Sequence, residues 1–246
     1  MDIVYILGTG SKWDNNELRY SLRSIEKFGK NVGNVYVIGA DPGFLSKNVS
    51  LINIEDRYNN KHKNILNNIC EIFEYTNIGD HFLLSSDDHF YVKETDFDNY
   101  PIYYKGILPN KIKKEDKSKG YKKSLVSTRK LLAENYYTFY NFSQHGNTHI
   151  FKEAIVLAKD LIEESYNTPK GCEPTCLLLN VLYKHKPFEF IKRKDLKIKG
   201  DIQGVEDLKE KIGDREVFSI YDEAIDKGVA EYLQELFPNK SKYEEY

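Results

Sequence analysis

The fold is decided by one stretch, His81-Phe82-Leu83-Leu84-Ser85-Ser86-Asp87-Asp88-His89-Phe90-Tyr91. Its apolar start predicts a strand buried in a mostly parallel sheet, because strands covered on both faces read as continuous apolar runs. Such a strand carries the next residues to the carboxyl edge of the sheet, where open α/β folds bind ligands. Adjacent carboxylates there repel each other, and a divalent cation would relieve the repulsion. We expect Mg²⁺ or Mn²⁺ holding a diphosphate, with Asp87, Asp88 and His89 as metal ligands. The alternative is a solvated turn.

Composition favours one soluble, intracellular α/β domain. The chain has 246 residues, of which 40% are hydrophobic, and its net charge of −2 gives no general case for nucleic acid or an anionic membrane. Its cysteines, Cys70, Cys172 and Cys176, form no even disulfide framework and favour reduced thiols. No charged leader or membrane-length apolar run stands out, so we expect a cytoplasmic protein.

The first ninety residues predict a doubly wound sheet. Apolar runs followed by turn residues predict strands at 2–7, 34–40, 49–54 and 81 onward. Helical spacing of apolar residues predicts helices at 17–28 and 60–75. Together these give the order β-α-β-β-α-β, which is typical of a parallel sheet with helices on both faces.

The second half is expected to be mostly helical. Residues 111–123 and 184–199 are rich in lysine and read either as solvated faces or as a grip for a polyanionic acceptor. We expect a polar loop at 144–149 and helices at the following positions: 124–140, 150–164, 174–183 and 224–237.

Two features near the N-terminus have a plain and a functional interpretation. Gly8-Thr9-Gly10-Ser11 is a tight turn, or a loop whose N–H groups approach a phosphate or a nucleobase. Arg19 and Arg23 stand at i, i+4 on a helix, either solvated or facing an anion.

Three segments resemble the Stealth family. Residues 16–28, NELRYSLRSIEKF, are similar to its "ELRYSLRSLEKY", and residues 82–90 lie where it has "YLNDDVFF". Residues 236–244, LFPNKSKYE, match its "LFPxxSxYE". The resemblance implies a GT-A-like, Rossmann-type core in a single domain, 1–246, with a nucleotide-sugar-binding half, 1–95, an acceptor-side half, 96–246, and a helical C-terminal part.

The resemblance also implies roles for particular residues. Asp88 would bind Mn²⁺ or Mg²⁺ directly and Asp87 directly or through water, whereas His89 is either a ligand or a core histidine. The donor would be a nucleotide diphosphate-sugar, most simply a UDP-sugar. Its contacts would be the following residues: Gly8, Thr9 and Gly10 at the nucleotide, Arg19, Arg23 and Lys63 at phosphates, and Asp56 at the base or ribose.

Transfer with inversion needs a general base for the acceptor hydroxyl. Glu173 precedes an apolar helix and resembles the acidic residue at a late helix of many inverting GT-A enzymes. The alternative is a carboxylate stabilised by the helix dipole. His145, His149 and His185 are alternates, as a third metal ligand or as acceptor contacts.

We therefore expect a metal-dependent glycosyltransferase that moves a sugar from a nucleotide diphosphate-sugar to a hydroxyl acceptor. The acceptor would be a glycan or hydroxymethylated bacteriophage DNA, and a bacteriophage-encoded enzyme would act in the host cytoplasm. One alternative is a Stealth-type hexose-1-phosphate transferase of polysaccharide synthesis. Another is a non-catalytic glycan- or nucleotide-binding module.

Overall fold

The computed structural model describes residues 1–112, 119–144 and 146–245. Its strands, in chain order, are the following: β1 (Ile3–Leu7), β2 (Gly29–Lys30), β3 (Val35–Gly39), β4 (Val49–Ile52), β5 (His81–Ser85), β6 (His89–Tyr91), β7 (Thr95–Asp96), β8 (Tyr103–Tyr104), β9 (Thr148–Phe151), β10 (Ile191–Lys192), β11 (Lys197–Ile198) and β12 (Val217–Ile220).

The helices, in chain order, are the following: α1 (Asn16–Phe28), α2 (Lys61–Tyr75), α3 (Lys119–Glu134), α4 (Lys152–Leu157), α5 (Lys159–Asn167), α6 (Pro174–His185), α7 (Val205–Ile212) and α8 (Val229–Leu236). A 3₁₀-helix at Asp222–Lys227 precedes α8. Among the described residues, no helix combines the length and apolar character that a membrane span requires.

The central sheet has the strand order β4-β3-β1-β5-β9. The first four strands are parallel, and β9 runs antiparallel to β5. The chain leaves β1 toward β3 and β4 on one side and then returns to β5 on the other. The strand order therefore reverses between β1 and β5, which is the place where open α/β sheets form a ligand crevice.

Alternate residues of β1 separate two layers of core. Ile3 and Tyr5 pack with Leu18 and Leu22 of α1 on one face. Val4 points to the other face, into a core that includes residues of α2 and α6. Because successive side chains of a strand alternate sides, a short apolar run holds helices on both faces of the sheet. This confirms the predicted α/β class with a mostly parallel sheet flanked by helices.

The second half differs from its predictions. The predicted loop at 144–149 is irregular at 144, 146 and 147, but β9 takes up its last two residues. The helix predicted at 150–164 begins two residues later and is divided into α4 and α5. The pairing of Phe82 with Ile150 across β5 and β9 uses the open edge of β5, and this tertiary pairing outweighs the local helical pattern. The helix predicted at 124–140 instead runs over Lys119–Glu134, so it takes up part of the predicted cationic loop at 111–123. Residues 113–118 of that loop lie outside the described residues.

The predicted C-terminal helix at 224–237 is divided at Gly228. This glycine has φ +116°, and a Cβ there would lie 2.6 Å from the carbonyl carbon of Gly204. Both the backbone angle and the close approach require glycine, so the 3₁₀-helix ends there and α8 begins anew. A smaller sheet of β11, β12 and β6 covers this helical part.

Candidate active site

A cavity of about 740 Å³ opens at the carboxyl edge of the central sheet. Ile6 of β1 and the end of β5, with the loop that follows it, form its floor. Its size lies in the range of about 300–1,000 Å³ that small-molecule sites occupy. The cavity thus lies at the reversal point between β1 and β5, which the strand order marks as a ligand crevice.

The N-terminal turns of three helices form much of the wall. These are the turns at His62 in α2, Tyr121 in α3 and Pro174 in α6. The rings of His62 and Tyr121 lie 6.1 Å apart, and the backbone N–H of Glu173 donates to Thr128 of α3 at 2.8 Å. Contacts between the helices therefore fix these turns relative to one another.

Asp87 and Asp88 line the cavity just beyond β5, as the sequence predicts. Burial and, after it, the neighbouring charge of Asp88 raise the pKa of Asp87 to about 6. Asp88 is paired with Lys197, whose Nζ lies 2.8 Å from Oδ2. The two carboxylates therefore differ. Asp88 has a lysine partner, whereas Asp87 is desolvated beside a like charge.

His89 is a buried residue of β6, with 2% of its surface exposed. Its Nδ1 accepts from the backbone N–H of Ser86 at 3.3 Å, and Nε2 lies 3.6 Å from Oδ1 of Asp88. Burial lowers the pKa of His89 to about 4, so the ring is neutral at pH 7. This geometry favours the interpretation of His89 as a core histidine that positions Asp88, rather than as a metal ligand.

Glu173 lines the cavity and caps α6. Its Oε2 accepts from the backbone N–H of Cys176 at 2.7 Å and from Oγ1 of Thr175 at 2.9 Å. Pro174 follows as the first helical residue, where a missing N–H has no consequence. The helix-cap role is therefore present in the structure, and the side chain also faces the space where a ligand would lie.

Lysines outnumber carboxylates around the cavity. The lysines are Lys61, Lys105, Lys122, Lys170 and Lys197, and the carboxylates are Asp87, Asp88 and Glu173. Gln144 lines the same cavity, and its amide atoms are shielded from solvent without a hydrogen-bond partner among the described residues. A buried amide is usually bonded. The amide of Gln144 is therefore available for hydrogen bonds to a bound ligand.

Arg19 and Arg23 lie away from the cavity and bind Glu244. Nε of Arg23 lies 2.7 Å from Oε1 of Glu244, and Nη1 of Arg19 lies 2.8 Å from Oε2. The guanidinium groups thus anchor the C-terminal segment to α1. Their expected contact with donor phosphates has no support in this placement.

The other predicted donor contacts lie outside the cavity wall. Gly8, Thr9 and Gly10 form an exposed loop after β1, and Asp56 is exposed on the segment before α2. Lys63 packs its side chain toward Gly171, while its neighbours Lys61 and His62 line the cavity. Lys63 is therefore not part of the cavity wall, and its contact with a phosphate stays a prediction.

His149 and His185, two of the three alternate histidines, do not line the cavity. His149 bonds to His81, with 2.7 Å between Nδ1 and Nε2, and its own Nε2 lies 2.7 Å from the carbonyl oxygen of Tyr100. His185 is exposed near the end of α6. His145 lies outside the described residues.

The residues present fit Mg²⁺ or Mn²⁺ better than zinc. No group of three or more His, Cys, Asp and Glu side chains suited to a metal occurs in the part of the chain that the structure describes. Mg²⁺ needs only one or two carboxylates when phosphates and water complete its shell. The raised pKa of Asp87 shows a carboxylate that a cation would stabilise. Asp87 and Asp88 are therefore the residues that would hold the ion.

Comparison with known proteins adds no assignment. A scan against protein-family models found no match, and a search of curated proteins found no significant similarity. The Stealth resemblance therefore remains a prediction from the sequence. Lys61, His62 and Tyr121 also line the cavity, although no sequence motif marks them.

Proposed function

We propose that this protein is a metal-dependent glycosyltransferase with a GT-A-like core, which takes a sugar from a nucleotide diphosphate-sugar. The observation that carries this proposal is the pair Asp87 and Asp88 on the floor of a lysine-rich cavity at the reversal point of the sheet. The raised pKa of Asp87 supports a divalent cation there. When bound, that cation would neutralise charge on the departing diphosphate.

The walls supply the complementary charge for phosphates. Lys61 is the first residue of α2 and is exposed to the cavity, and Lys170 reaches it from the loop before α6. Neither lysine forms an ion pair with any described residue. Both stand near helix N-termini, whose backbone dipoles also favour anions. An anionic, polar donor therefore suits this cavity better than an apolar ligand.

The second basic stretch, 184–199, supports a glycan acceptor more than DNA. Much of the second stretch is used internally, since Lys186 pairs with Glu153 at 3.0 Å and Arg193 lies over the ring of Tyr103 at 3.6 Å. Lys197 is held by Asp88. A duplex would need many lysines and arginines free to meet phosphates. A hydroxyl of a glycan needs only access to the cavity.

The test is a screen of nucleotide sugars for hydrolysis or transfer with and without Mn²⁺. Asp87→Asn should abolish metal-dependent turnover while the fold is kept. The matched control is Asp80→Asn, because Asp80 precedes the other end of β5 and its side chain is 89% exposed. Turnover equal to the wild type in Asp87→Asn would refute the metal assignment.

The products distinguish the reaction types. Sugar transfer releases a nucleoside diphosphate, whereas hexose-1-phosphate transfer releases a nucleoside monophosphate. If no nucleotide sugar is turned over but one binds, the chain is a binding module and the proposal is wrong.

A further inference from the structure

His62 is the most accessible imidazole of the described cavity. Of the histidines that the structure describes, His62 and His89 line the cavity, and His89 is buried and engaged with Ser86 and Asp88. His62 is only partly buried. No described residue forms a hydrogen bond with either of its ring nitrogens. Its nitrogens are therefore available to a group bound in the cavity.

Local structure fixes the position of His62. It is the second residue of α2, and Oδ1 of Asn60 accepts from its backbone N–H at 3.0 Å. Gly171, with φ +64°, passes so close that a Cβ there would lie 3.3 Å from Cβ of His62. The ring of Tyr121 lies 6.1 Å away. The imidazole thus stands where α2, α3 and the start of α6 meet.

The charges around His62 suit a group that accepts a proton. Burial lowers the pKa of the imidazole below 6.5, and the positive charge of Lys61 acts in the same direction. The negative charge of Glu173 opposes them. Tyr121, on the facing helix, has its pKa raised by burial and stays neutral. At pH 7 the ring is therefore neutral, and Glu173 would stabilise the imidazolium that forms once a proton arrives.

Glu173 itself is less suited to this step. Its Oε2 already accepts two hydrogen bonds at the start of α6, where it caps the helix. A carboxylate held in this way supplies negative charge near His62. The sequence predicts Glu173 alone as the general base. The structure instead favours a second residue that takes the proton, with Glu173 supplying negative charge.

We propose that His62 is the general base of the proposed transfer and that the negative charge of the Glu173 carboxylate supports it; this rests on the glycosyltransferase function above. A ring nitrogen of His62 takes the proton of the acceptor hydroxyl. The hydroxyl oxygen forms a bond to the anomeric carbon, while the bond from that carbon to the diphosphate oxygen breaks. The electron pair of the broken bond leaves with the nucleoside diphosphate.

The first test is the pH profile of UDP-glucose hydrolysis at saturating Mn²⁺, with water as the acceptor. The wild-type kcat should rise with pH through a midpoint below 6.5. His62→Gln should lower kcat about 100-fold or more and remove this rise, while UDP affinity changes less than about threefold. Glu74→Gln, at an exposed position on the same helix, is the matched control and should match the wild type.

Glu173→Gln separates the two candidates for the base. Removal of its charge should move the midpoint to lower pH and leave a measurable rise, because His62 is still present. If Glu173→Gln removes the rise while His62→Gln keeps it, Glu173 is the base and the proposal is overturned.

A second measurement does not depend on turnover. Diethyl pyrocarbonate acylates neutral, accessible imidazoles, so at pH 7 it should modify His62, and UDP-glucose with Mn²⁺ should slow that modification at least fivefold. Unprotected or unmodified His62 would overturn the proposal. If the wild type turns over no nucleotide sugar at all, the proposed function fails and the base role with it. An active His62→Gln variant overturns the base role alone.

Discussion

Glu244→Gln tests what holds the C-terminal segment on α1. The Glu244 side chain is 0% exposed, and it accepts hydrogen bonds from Arg19, Arg23 and the backbone N–H of Ser241. Desolvation alone would raise the pKa of this carboxyl. The hydrogen bonds, first of all those from Arg23, outweigh it and lower the pKa from 4.5 to about 2.

The shift gives the magnitude. Each tenfold change in proton affinity is worth about 1.4 kcal/mol, so Glu244 contributes about 3 kcal/mol to the free energy of unfolding at pH 7. Because folding lowers this pKa, the contribution is complete above pH 4.5 and is lost as the pH falls toward 2. At pH 3 it should be about 1 kcal/mol. Water around Arg19, whose side chain is 24% exposed, screens part of this contribution to the free energy of unfolding.

Thermal and urea unfolding of Glu244→Gln measure the effect. We expect Tm at pH 7 to fall by about 6–12 °C, since a chain of this size loses about 2–4 °C per kcal/mol. The difference from the wild type should shrink at pH 3. Glu245→Gln is the matched control, because the neighbouring Glu245 is exposed. Equal stability of the two variants at pH 7 would refute the reasoning and reopen the phosphate role of Arg23.

Two further predictions concern single side chains. Asp87→Asn in EDTA should raise the free energy of unfolding at pH 7 by up to about 3 kcal/mol. Folding raises the pKa of Asp87 from 3.8 to about 6, so its charged form destabilises the folded protein above that pH. Urea unfolding at pH 4 should show little difference, and a destabilised variant at pH 7 would contradict the electrostatics. Asn180→Leu should lower the free energy of unfolding by about 2–4 kcal/mol, because the buried amide bonds to both the N–H and the carbonyl of Tyr140 at 2.8 Å. Urea unfolding beside the exposed-site control Asn239→Leu measures this, and equal stability of the two would contradict it.

The sequence was sufficient where structure is set locally. The strands β1, β3, β4 and β5 and the helices α1 and α2 follow from apolar periodicity and turn residues, and Pro174 marks the start of α6. The end of β5 delivers Asp87 and Asp88 to the cavity for the same reason. In a parallel sheet, the direction of a strand alone puts the residue that follows it at the carboxyl edge of the sheet.

The sequence was insufficient where the partner is distant. Arg23 meets Glu244 across 221 positions, so its spacing on α1 alone did not show what it binds. β9 forms only because β5 has an open edge, and a four-residue strand carries too little pattern to compete with a helical one. On α2, His62 and Lys63 are neighbours that lie on different faces of the helix. His62 therefore lines the cavity, and Lys63 lies outside its wall.

Anomalous diffraction from crystals grown with Mn²⁺ and UDP tests the central claim most directly. The account predicts a manganese peak about 2.1–2.3 Å from a carboxylate oxygen of Asp87 or Asp88, with the diphosphate on the same ion. Manganese and UDP bound together at any other place on the chain would contradict it.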